Sequence, residues 1–200
     1  MTLQEAIESL YRIAVTEGKS TSTLRLQALA QFCSEQLASR GLGGAETERP
    51  LPGGGREKRW DVSWSYDRKP RLAISLKSIL KNLAGTVPNR IDDLMGEVTN
   101  LQMYSPEIVT GYLMVFDVAL DARNTRHGDT WVGLLRTRLS RLSGRQAPAW
   151  SIGMVEGYSV IEVNFSAGPL IVSDLAEIQD FFDRLVGEVK GRNPGLGEQE

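Results

Sequence analysis

The sequence has very few of the residues that build redox and zinc sites. Its 200 residues include one cysteine, Cys33, and one histidine, His127. One cysteine cannot form an internal disulfide, and together with one histidine it cannot complete a tetrahedral zinc site. We therefore expect neither zinc nor thiol chemistry. Because His127 has no serine or cysteine partner in a known motif, the sequence also gives no support for a hydrolase triad.

Long apolar runs are absent as well. No stretch approaches the roughly 18 apolar residues that a membrane-spanning helix needs. Thr2, Gln4 and Glu5 stand where a signal peptide would be basic and then apolar. With 41% hydrophobic and 24% charged residues, the composition is that of an ordinary globular domain. We expect a cytoplasmic protein that does not associate with membranes.

The charge is distributed unevenly, although the net charge is only −2. Residues 1–55 carry 5 basic and 6 acidic side chains, residues 56–145 carry 15 and 10, and residues 146–200 carry 3 and 9. Of the 23 cations, 17 are arginine, which suits bidentate contacts to phosphates and bases. The basic middle is consistent with a nucleic-acid interface, although arginines on solvated helix faces are the commoner explanation of such a pattern.

The periodicity of apolar residues predicts the order of elements. Residues 1–40 have the spacing of two helices, and residues 41–59 form a Gly-rich loop with six glycines between 41 and 55. From Trp60 the period changes to two, which predicts strands at 60–66 and 71–78, joined by a turn near Arg68. This turn would place Asp61 opposite Ser75, with Lys77 two residues further along the same face.

The rest of the chain alternates between strands and helices. We predict a helix at 90–102 that follows Pro88, a buried strand at 108–118, a helix at 130–143 and a capped helix at 174–190. Segments 151–155 and 158–165 are predicted as strands of a second hairpin, turned at Glu156 and Gly157. The expected fold is a mixed α/β core at 60–191, in which helices flank a central mixed sheet that opens with a hairpin. An N-terminal helical pair precedes this core, and a flexible tail at 192–200 follows it.

Three segments of this core resemble a known superfamily. They are Trp60-Asp61-Val62, Ala73-Ile74-Ser75-Leu76-Lys77-Ser78, and the stretch from Pro88 to Glu97 that contains Asn-Arg-Ile-Asp-Asp. In this order they resemble the PD-(D/E)xK nucleases, and most of all the XhoI-type type II restriction endonucleases, over about residues 48–118. The resemblance implies a restriction-endonuclease-like core that cleaves phosphodiester bonds of duplex DNA with Mg²⁺ or Mn²⁺.

The resemblance also implies roles for individual residues. Asp61 would be the first metal ligand, and Lys77 would orient or deprotonate the attacking water. Ser75 occupies the position of the family's second acid, although serine is a poor metal ligand. Some restriction enzymes of the superfamily supply this carboxylate from the following helix. The alternative is that such acids only complement the dipole of the helix. The candidates for a relocated carboxylate are Asp93, which we expect to be catalytic, together with Asp92 and Glu97 as metal ligands and Glu48 as an additional one.

Contacts to nucleic acid are expected from the site and from the basic segments around it. Arg138, Arg141 and Arg145 form a stripe along one helix, which is either a phosphate-binding face or a solvated one. The loop that carries Arg123 and Arg126 is either inserted into a groove or a simple surface loop. The full set of expected contact residues is Arg56, Arg59, Ser75, Ser78, Asn89, Arg90, Arg123, Arg126, Arg138 and Arg141.

The sequence thus favours a Mg²⁺-dependent DNA endonuclease of the restriction or phage-defence type. The alternative is an inactive protein with the nuclease fold that binds DNA or a partner protein, since Ser75 weakens the metal site. A third, weaker hypothesis is an interaction domain that binds a partner through its acidic C-terminal region. Two hundred residues are few for sequence-specific recognition, so we expect a homodimer, a partner subunit or a looser specificity.

Overall fold

The computed structural model describes residues 1–124 and 126–197, and a six-stranded mixed sheet lies at its centre. The strands are β1 (Glu46–Leu51), β2 (Lys58–Tyr66), β3 (Lys69–Ile79), β4 (Val109–Asp117), β5 (Arg123–Asn124), β6 (Asp129–Thr130), β7 (Gly157–Asn164) and β8 (Leu170–Ile171). The central sheet has the order β1-β2-β3-β4-β7-β8, while β5 and β6 form a separate ribbon. Strands β3, β4 and β7 are parallel to one another, and the other pairs of the central sheet are antiparallel.

Helices cover both faces of this sheet. They are α1 (Leu3–Tyr11), α2 (Gln27–Ala38), α3 (Leu83–Tyr104), α4 (Trp131–Arg141) and α5 (Leu175–Arg192). A π-helical turn at Arg12–Thr16 extends α1, and a 3-10 turn at Thr23–Leu26 precedes α2. Helices α1, α2 and α5 pack on one face of the sheet, and α3 and α4 pack on the other. No helix of the described residues combines the length and the apolarity that crossing a bilayer requires.

The alternation of side chains explains how β3 serves both layers. Leu72 and Ile74 belong to the core under α1, α2 and α5, while Ala73 lies in the core under α3 and α4. All nine residues of β4 are buried, as expected for a central strand with helices on both sides. The structure therefore confirms the predicted fold class, a mixed α/β domain with a central mixed sheet and an N-terminal helical pair.

The β2–β3 hairpin also has the predicted register. Val62 pairs with Ile74 and Ser63 pairs with Ala73, as predicted, and the paired ladder ends there, one residue before Asp61 and Ser75; between Trp64 and Ser65 the register shifts by one residue. The two turn residues, Asp67 and Arg68, have positive φ angles of 50° and 61°. Such angles at both positions give a tight turn whose twist matches that of the flanking strands.

Helix α3 begins earlier than predicted. It starts at Leu83 rather than at residue 90, and Pro88 lies inside it. Proline is common at the first position of a helix, so Pro88 was expected to mark the beginning. The first turn instead follows Asn82, and the Thr86 amide donates to the Asn82 carbonyl oxygen at 2.8 Å.

Three other predictions about the chain were wrong. The expected loop at 41–59 contains β1, which pairs with β2. Residues 151–155 form no strand, because Val155 bonds to the end of α4, with its amide 2.8 Å from the Leu142 carbonyl oxygen. There is no hairpin at Glu156 and Gly157, since β7 runs parallel to β4.

The first residues of the predicted flexible tail at 192–200 are packed against the domain. Helix α5 extends to Arg192, Asn193 is buried, and the Tyr66 hydroxyl donates to the Gly195 carbonyl oxygen at 3.2 Å. The last part of the predicted tail, residues 198–200, lies outside the described residues.

Candidate functional site

Asp61 lies at the point where the regular pairing of β2 with β3 ends. The paired register runs from Val62–Ile74 to the turn, and the next strand amide, that of Leu76, donates to Asp61 Oδ2 at 2.7 Å. Burial raises the pKa of Asp61, although the charge of Lys77 and the Leu76 hydrogen bond oppose this effect. The exposed Glu48 on β1 is close enough to raise this pKa further. A cation near Asp61 would therefore be stabilised.

Glu97 reaches the same site from α3. The Ser75 hydroxyl donates to Glu97 Oε2 at 2.8 Å, and Lys77 Nζ lies 3.1 Å from Glu97 Oε1. Lys58, at the start of β2, contacts Oε1 as well. The Glu97 side chain is only 11% exposed, so these partners replace most of its water. One carboxylate from the helix thus meets the serine and the lysine of the predicted strand motif.

The charges around Glu97 determine its protonation. Burial opposes ionisation, but Lys77, Lys58 and the Ser75 hydroxyl outweigh it and hold the pKa of Glu97 below its usual value. The two carboxylates of the site are therefore perturbed in opposite directions. Glu97 is held as an anion, whereas Asp61 has less compensation for its charge.

The structure does not bring Asp92 and Asp93 to this cluster. Asp93 Oδ2 lies 2.6 Å from Arg90 Nη1, and Asp92 is exposed. Helix α3 connects two parallel strands, so it runs back along the sheet, and each residue towards its N-terminus lies nearer the carboxyl end of β3. Asp93 precedes Glu97 by four residues, or about 6 Å of helix. This displacement explains why Glu97, and not Asp93, meets Ser75 and Lys77.

A Gly-rich loop fixes the position of Lys58 relative to α3. Asn100 Oδ1 accepts hydrogen bonds from the amides of Gly55 and Arg56 at 2.9 and 3.2 Å, and its Nδ2 donates to the Arg56 carbonyl oxygen at 2.9 Å. The Gly54 amide donates to the Asn100 carbonyl oxygen at 2.7 Å. A side chain at Gly53 would collide with Asn100, so this close approach requires glycine.

Two of the expected nucleic-acid contacts are buried and already have partners. Ser75 is 2% exposed and bonded to Glu97, and Ser78 is 6% exposed and accepts a hydrogen bond from Arg25. Both serines therefore orient other side chains and do not present a free hydroxyl. Six of the other expected contact residues are exposed and two are half-buried; the exposed ones are Arg56, Arg59, Asn89, Arg123, Arg126 and Arg141, and the half-buried ones are Arg90 and Arg138.

Arg145 does not belong to a surface stripe. It is 2% exposed, and its Nη1 lies 2.9 Å from Glu156 Oε1, which also accepts a hydrogen bond from Arg192 at 2.8 Å. The spacing from Arg141 to Arg145 predicted a continuing helix face. Helix α4 ends at Arg141, and the chain then turns inward.

The predicted set of site residues did not include two cations that lie near the site. Lys58 precedes the predicted strand and contacts Glu97, while Arg25 comes from the turn before α2 and bonds to Ser78 at 3.2 Å. Basic residues next to Asp61 were a visible signal for Lys58. Nothing in the local sequence pointed to Arg25, because its neighbours at the site lie more than fifty residues away along the chain.

The candidate site offers two carboxylates to a metal ion, and one of them, Glu97, already pairs with Lys58 and Lys77. In the described part of the chain, no three His, Cys, Asp or Glu side chains form a group that could hold a metal ion. The expected set of Asp61, Asp92, Asp93 and Glu97 is thus not assembled. Mg²⁺, however, is commonly held by one or two carboxylates together with substrate phosphates. Asp61 and Glu97 satisfy that smaller requirement.

Comparisons with known proteins assign no family to this chain. No protein-family model matches it, and no significant match was found among curated proteins or solved structures. The arrangement of Asp61, Lys77 and Glu97 is therefore the observation on which a functional hypothesis depends.

Proposed function

We propose that this protein is a Mg²⁺-dependent endonuclease of the restriction or phage-defence type that cleaves duplex DNA in the cytoplasm. The observation that carries the proposal is the contact of Lys77 on β3 with Glu97 on α3, beside Asp61 of the adjacent strand, which accepts a hydrogen bond from the Leu76 amide. The resemblance of residues 60–97 to XhoI-type restriction endonucleases supports the same reaction. A homodimer or partner subunit would extend the surface for recognition.

Each residue of the cluster has a role in this proposal. Asp61 and Glu97 would hold Mg²⁺, or Mn²⁺, which when bound polarises the phosphoryl group and lowers the pKa of an attacking water. Lys77 would orient that water or accept its proton, and its charge would stabilise the negative charge that develops on the phosphate. Ser75 fixes Glu97 Oε2, and Lys58 compensates the Glu97 charge when the cation is absent.

The contacts of Glu97 favour a second candidate, a nuclease-fold protein that binds DNA or a partner protein without cleaving. Glu97 already has two lysines and a hydroxyl as partners. A divalent ion would have to displace at least one of these cations. If the ion pairs of the two lysines with Glu97 are stronger than the binding of the ion, the metal site cannot form. The protein would then bind DNA or a partner protein without cleaving DNA.

Cleavage assays with matched variants separate the two candidates. Supercoiled plasmid and linear duplex are incubated with Mg²⁺, Mn²⁺ or EDTA. We expect cleavage with the metals only, and a loss of about 100-fold or more in Asp61→Asn, Lys77→Met and Glu97→Gln. Asp92→Asn and Asp93→Asn are the controls, because they remove the same charge outside the cluster, and we expect changes of at most a few-fold.

The outcomes are distinct. Equal losses in Asp93→Asn and Glu97→Gln would contradict the assignment of Glu97. A wild type that never cleaves, together with a Ser75→Glu variant that does, would identify a silenced nuclease and support the second candidate. Wild-type rates in Asp61→Asn would overturn the whole site.

A further inference from the structure

A second group of cations lies directly beyond Lys77, where β3 ends. A cleft of about 230 Å³ opens there between the turn before α2 and the first half of α3. Three cations and no acidic residue line it in the described part of the chain. We call it the Arg25–Arg90 cleft, and the residues that matter for its chemistry are Ser20, Arg25, Ser78, Lys81, Thr86 and Arg90.

The fold holds Arg25 in a fixed position. Its Nε donates to Ser78 Oγ at 3.2 Å, and its Nη1 donates to the Ser22 carbonyl oxygen at 2.5 Å. Ser78 follows Lys77 on β3 with its side chain on the other face of the sheet, so Arg25 is anchored at the same end of β3 as the proposed catalytic lysine but across the strand from it. Within the described residues its Nη2 makes no hydrogen bond, which leaves donors for a ligand.

Arg90 approaches the cleft from the other side. Its Nη1 bonds to Asp93 Oδ2 at 2.6 Å, while its Nε is buried and has no partner among the described residues. Burial lowers the pKa of Arg25, and the nearby positive charge of Arg90 lowers it further. The two arginines therefore repel each other; Asp93 pairs with Arg90, and the charge of Asp61 only partly offsets the lowering of the Arg25 pKa.

The third cation, Lys81, is exposed and donates to Ser20 Oγ at 2.9 Å. Its charge adds to those of the two arginines at the same opening. Guanidinium groups match phosphate oxygens in geometry and charge, and an anion between the arginines would remove their mutual repulsion. The cleft thus has the charge and the free donors of a phosphate site.

We propose that the Arg25–Arg90 cleft binds a phosphate group of the nucleic-acid strand, next to the phosphate that is cleaved. The inference rests on the proposed function for its ligand, because it takes the neighbouring cluster as the cleavage site. A terminal phosphate monoester and an internal phosphodiester offer the same oxygens to the cleft. The experiment must therefore distinguish these two sources.

Binding is measured in EDTA, so that cleavage does not enter the result. Fluorescence anisotropy compares a 5′-phosphorylated duplex with the same duplex that ends in a 5′-hydroxyl, and inorganic phosphate serves as competitor. We expect Arg25→Gln and Arg90→Gln each to weaken binding about tenfold or more, and Arg25→Lys to weaken it less. Arg184→Gln is the control, because Arg184 lies beside Gly157 at the opposite end of the parallel strands.

The results identify the phosphate or overturn the inference. A loss confined to the 5′-phosphorylated duplex indicates a terminal monoester, and equal losses for both duplexes indicate an internal diester. Wild-type affinity in folded Arg25→Gln and Arg90→Gln overturns the inference. If either variant fails to fold, the shift in melting temperature that inorganic phosphate produces is measured in the wild type and in Arg25→Lys. No shift in the wild type would overturn the proposal that the cleft binds phosphate.

The inference and the proposed catalysis fail in different ways. Cleft-dependent binding without cleavage under any condition would reject the endonuclease and leave the phosphate site standing. Normal cleavage, together with a DNA affinity that does not change in Arg25→Gln and Arg90→Gln, would reject the phosphate site alone.

Discussion

Two clusters of this molecule each place a glutamate among basic side chains and hydrogen-bond donors, but they differ in their surroundings. At the Glu156 cluster, Glu156 accepts hydrogen bonds from Arg145 and Arg192, and from the amide and hydroxyl of Thr110, all at 2.6–2.9 Å. At the candidate site, Glu97 has comparable partners, but the neighbouring Asp61 has a raised pKa and cationic groups lie at the nearby opening.

The two clusters differ in whether every charged group has counter-charges and hydrogen-bond partners within the protein. Glu156 has a cation or donor for each of its oxygens and none of its side chain is exposed, so this cluster ties the end of α5 to the segment after α4. At Asp61 and in the Arg25–Arg90 cleft the protein compensates the charge only in part. A buried ion pair alone is weak evidence for function, whereas uncompensated charge next to an opening is stronger evidence.

The largest expected change in stability comes from removing the charge of Glu156. Glu156→Gln leaves Arg145 buried without a counter-charge, which we expect to lower the free energy of unfolding by about 3–5 kcal/mol. Urea denaturation measures this loss. Glu188→Gln is the control, since it also removes a partner of Arg192 but from a side chain that is 35% exposed, and its cost should stay below about 1 kcal/mol. Equal losses in the two variants would remove the distinction between the clusters.

A smaller effect tests the opposite perturbations of the two site carboxylates. At pH 7 the folded protein bears the cost of a charged, half-buried Asp61, so Asp61→Asn should raise the free energy of unfolding. Glu97→Gln should lower it, because the lysines stabilise the anion. We expect each change to be roughly 0.5–2 kcal/mol. Urea denaturation at several pH values measures both.

The pH dependence gives the sign of each effect. Asp61 has a pKa raised above its usual 3.8, so the gain in Asp61→Asn should disappear as the pH falls from the raised value to below about 4. Glu97 has a pKa lowered from its usual 4.5, so the loss in Glu97→Gln should shrink as the pH falls from about 4.5 through the lowered value. Changes of the same sign at pH 7 would contradict this interpretation of the site.

The smallest expected effect concerns two arginines that lie four residues apart. Arg141 is exposed and Arg145 is buried, so only Arg141 is available to phosphate.

We expect wild-type affinity for duplex DNA to fall about tenfold or more between 50 and 200 mM salt. Arg138→Glu with Arg141→Glu should weaken binding further and reduce the salt dependence. Electrophoretic mobility shifts measure this, with Arg68→Glu on the exposed hairpin turn as control.

Absence of binding at 50 mM salt would count against both nucleic-acid hypotheses. An equal effect of Arg68→Glu would show that the variants change only the overall charge.

Local features of the sequence predicted the hairpin and its register. Alternating side chains and a short polar turn leave few arrangements, so Asp61, Ser75 and Lys77 could be placed from the sequence. The choice among Asp92, Asp93 and Glu97 depended instead on where α3 passes over β3. Pro88 was interpreted as the start of the helix, and counting residues from Lys77 gave no information on that packing.

The other corrections have a common cause. Arg145 and Glu156 are 11 residues apart, and Arg25 and Ser78 are 53 residues apart, so both pairs join residues of different elements. A pattern along one helix or strand cannot show such a pair. The basic character of the middle of the chain was visible in the sequence, but which cations are buried was not.

The Asn100 contacts have a mechanical consequence for the candidate site. Asn100 follows Glu97 by three residues on α3. It makes four hydrogen bonds with the loop residues 54–56, which precede Lys58. The backbone that leads to Lys58 is thus anchored to α3 less than one helical turn from Glu97. In the proposed metal site, a divalent ion would have to exchange with the ammonium groups of Lys58 and Lys77 to reach Glu97.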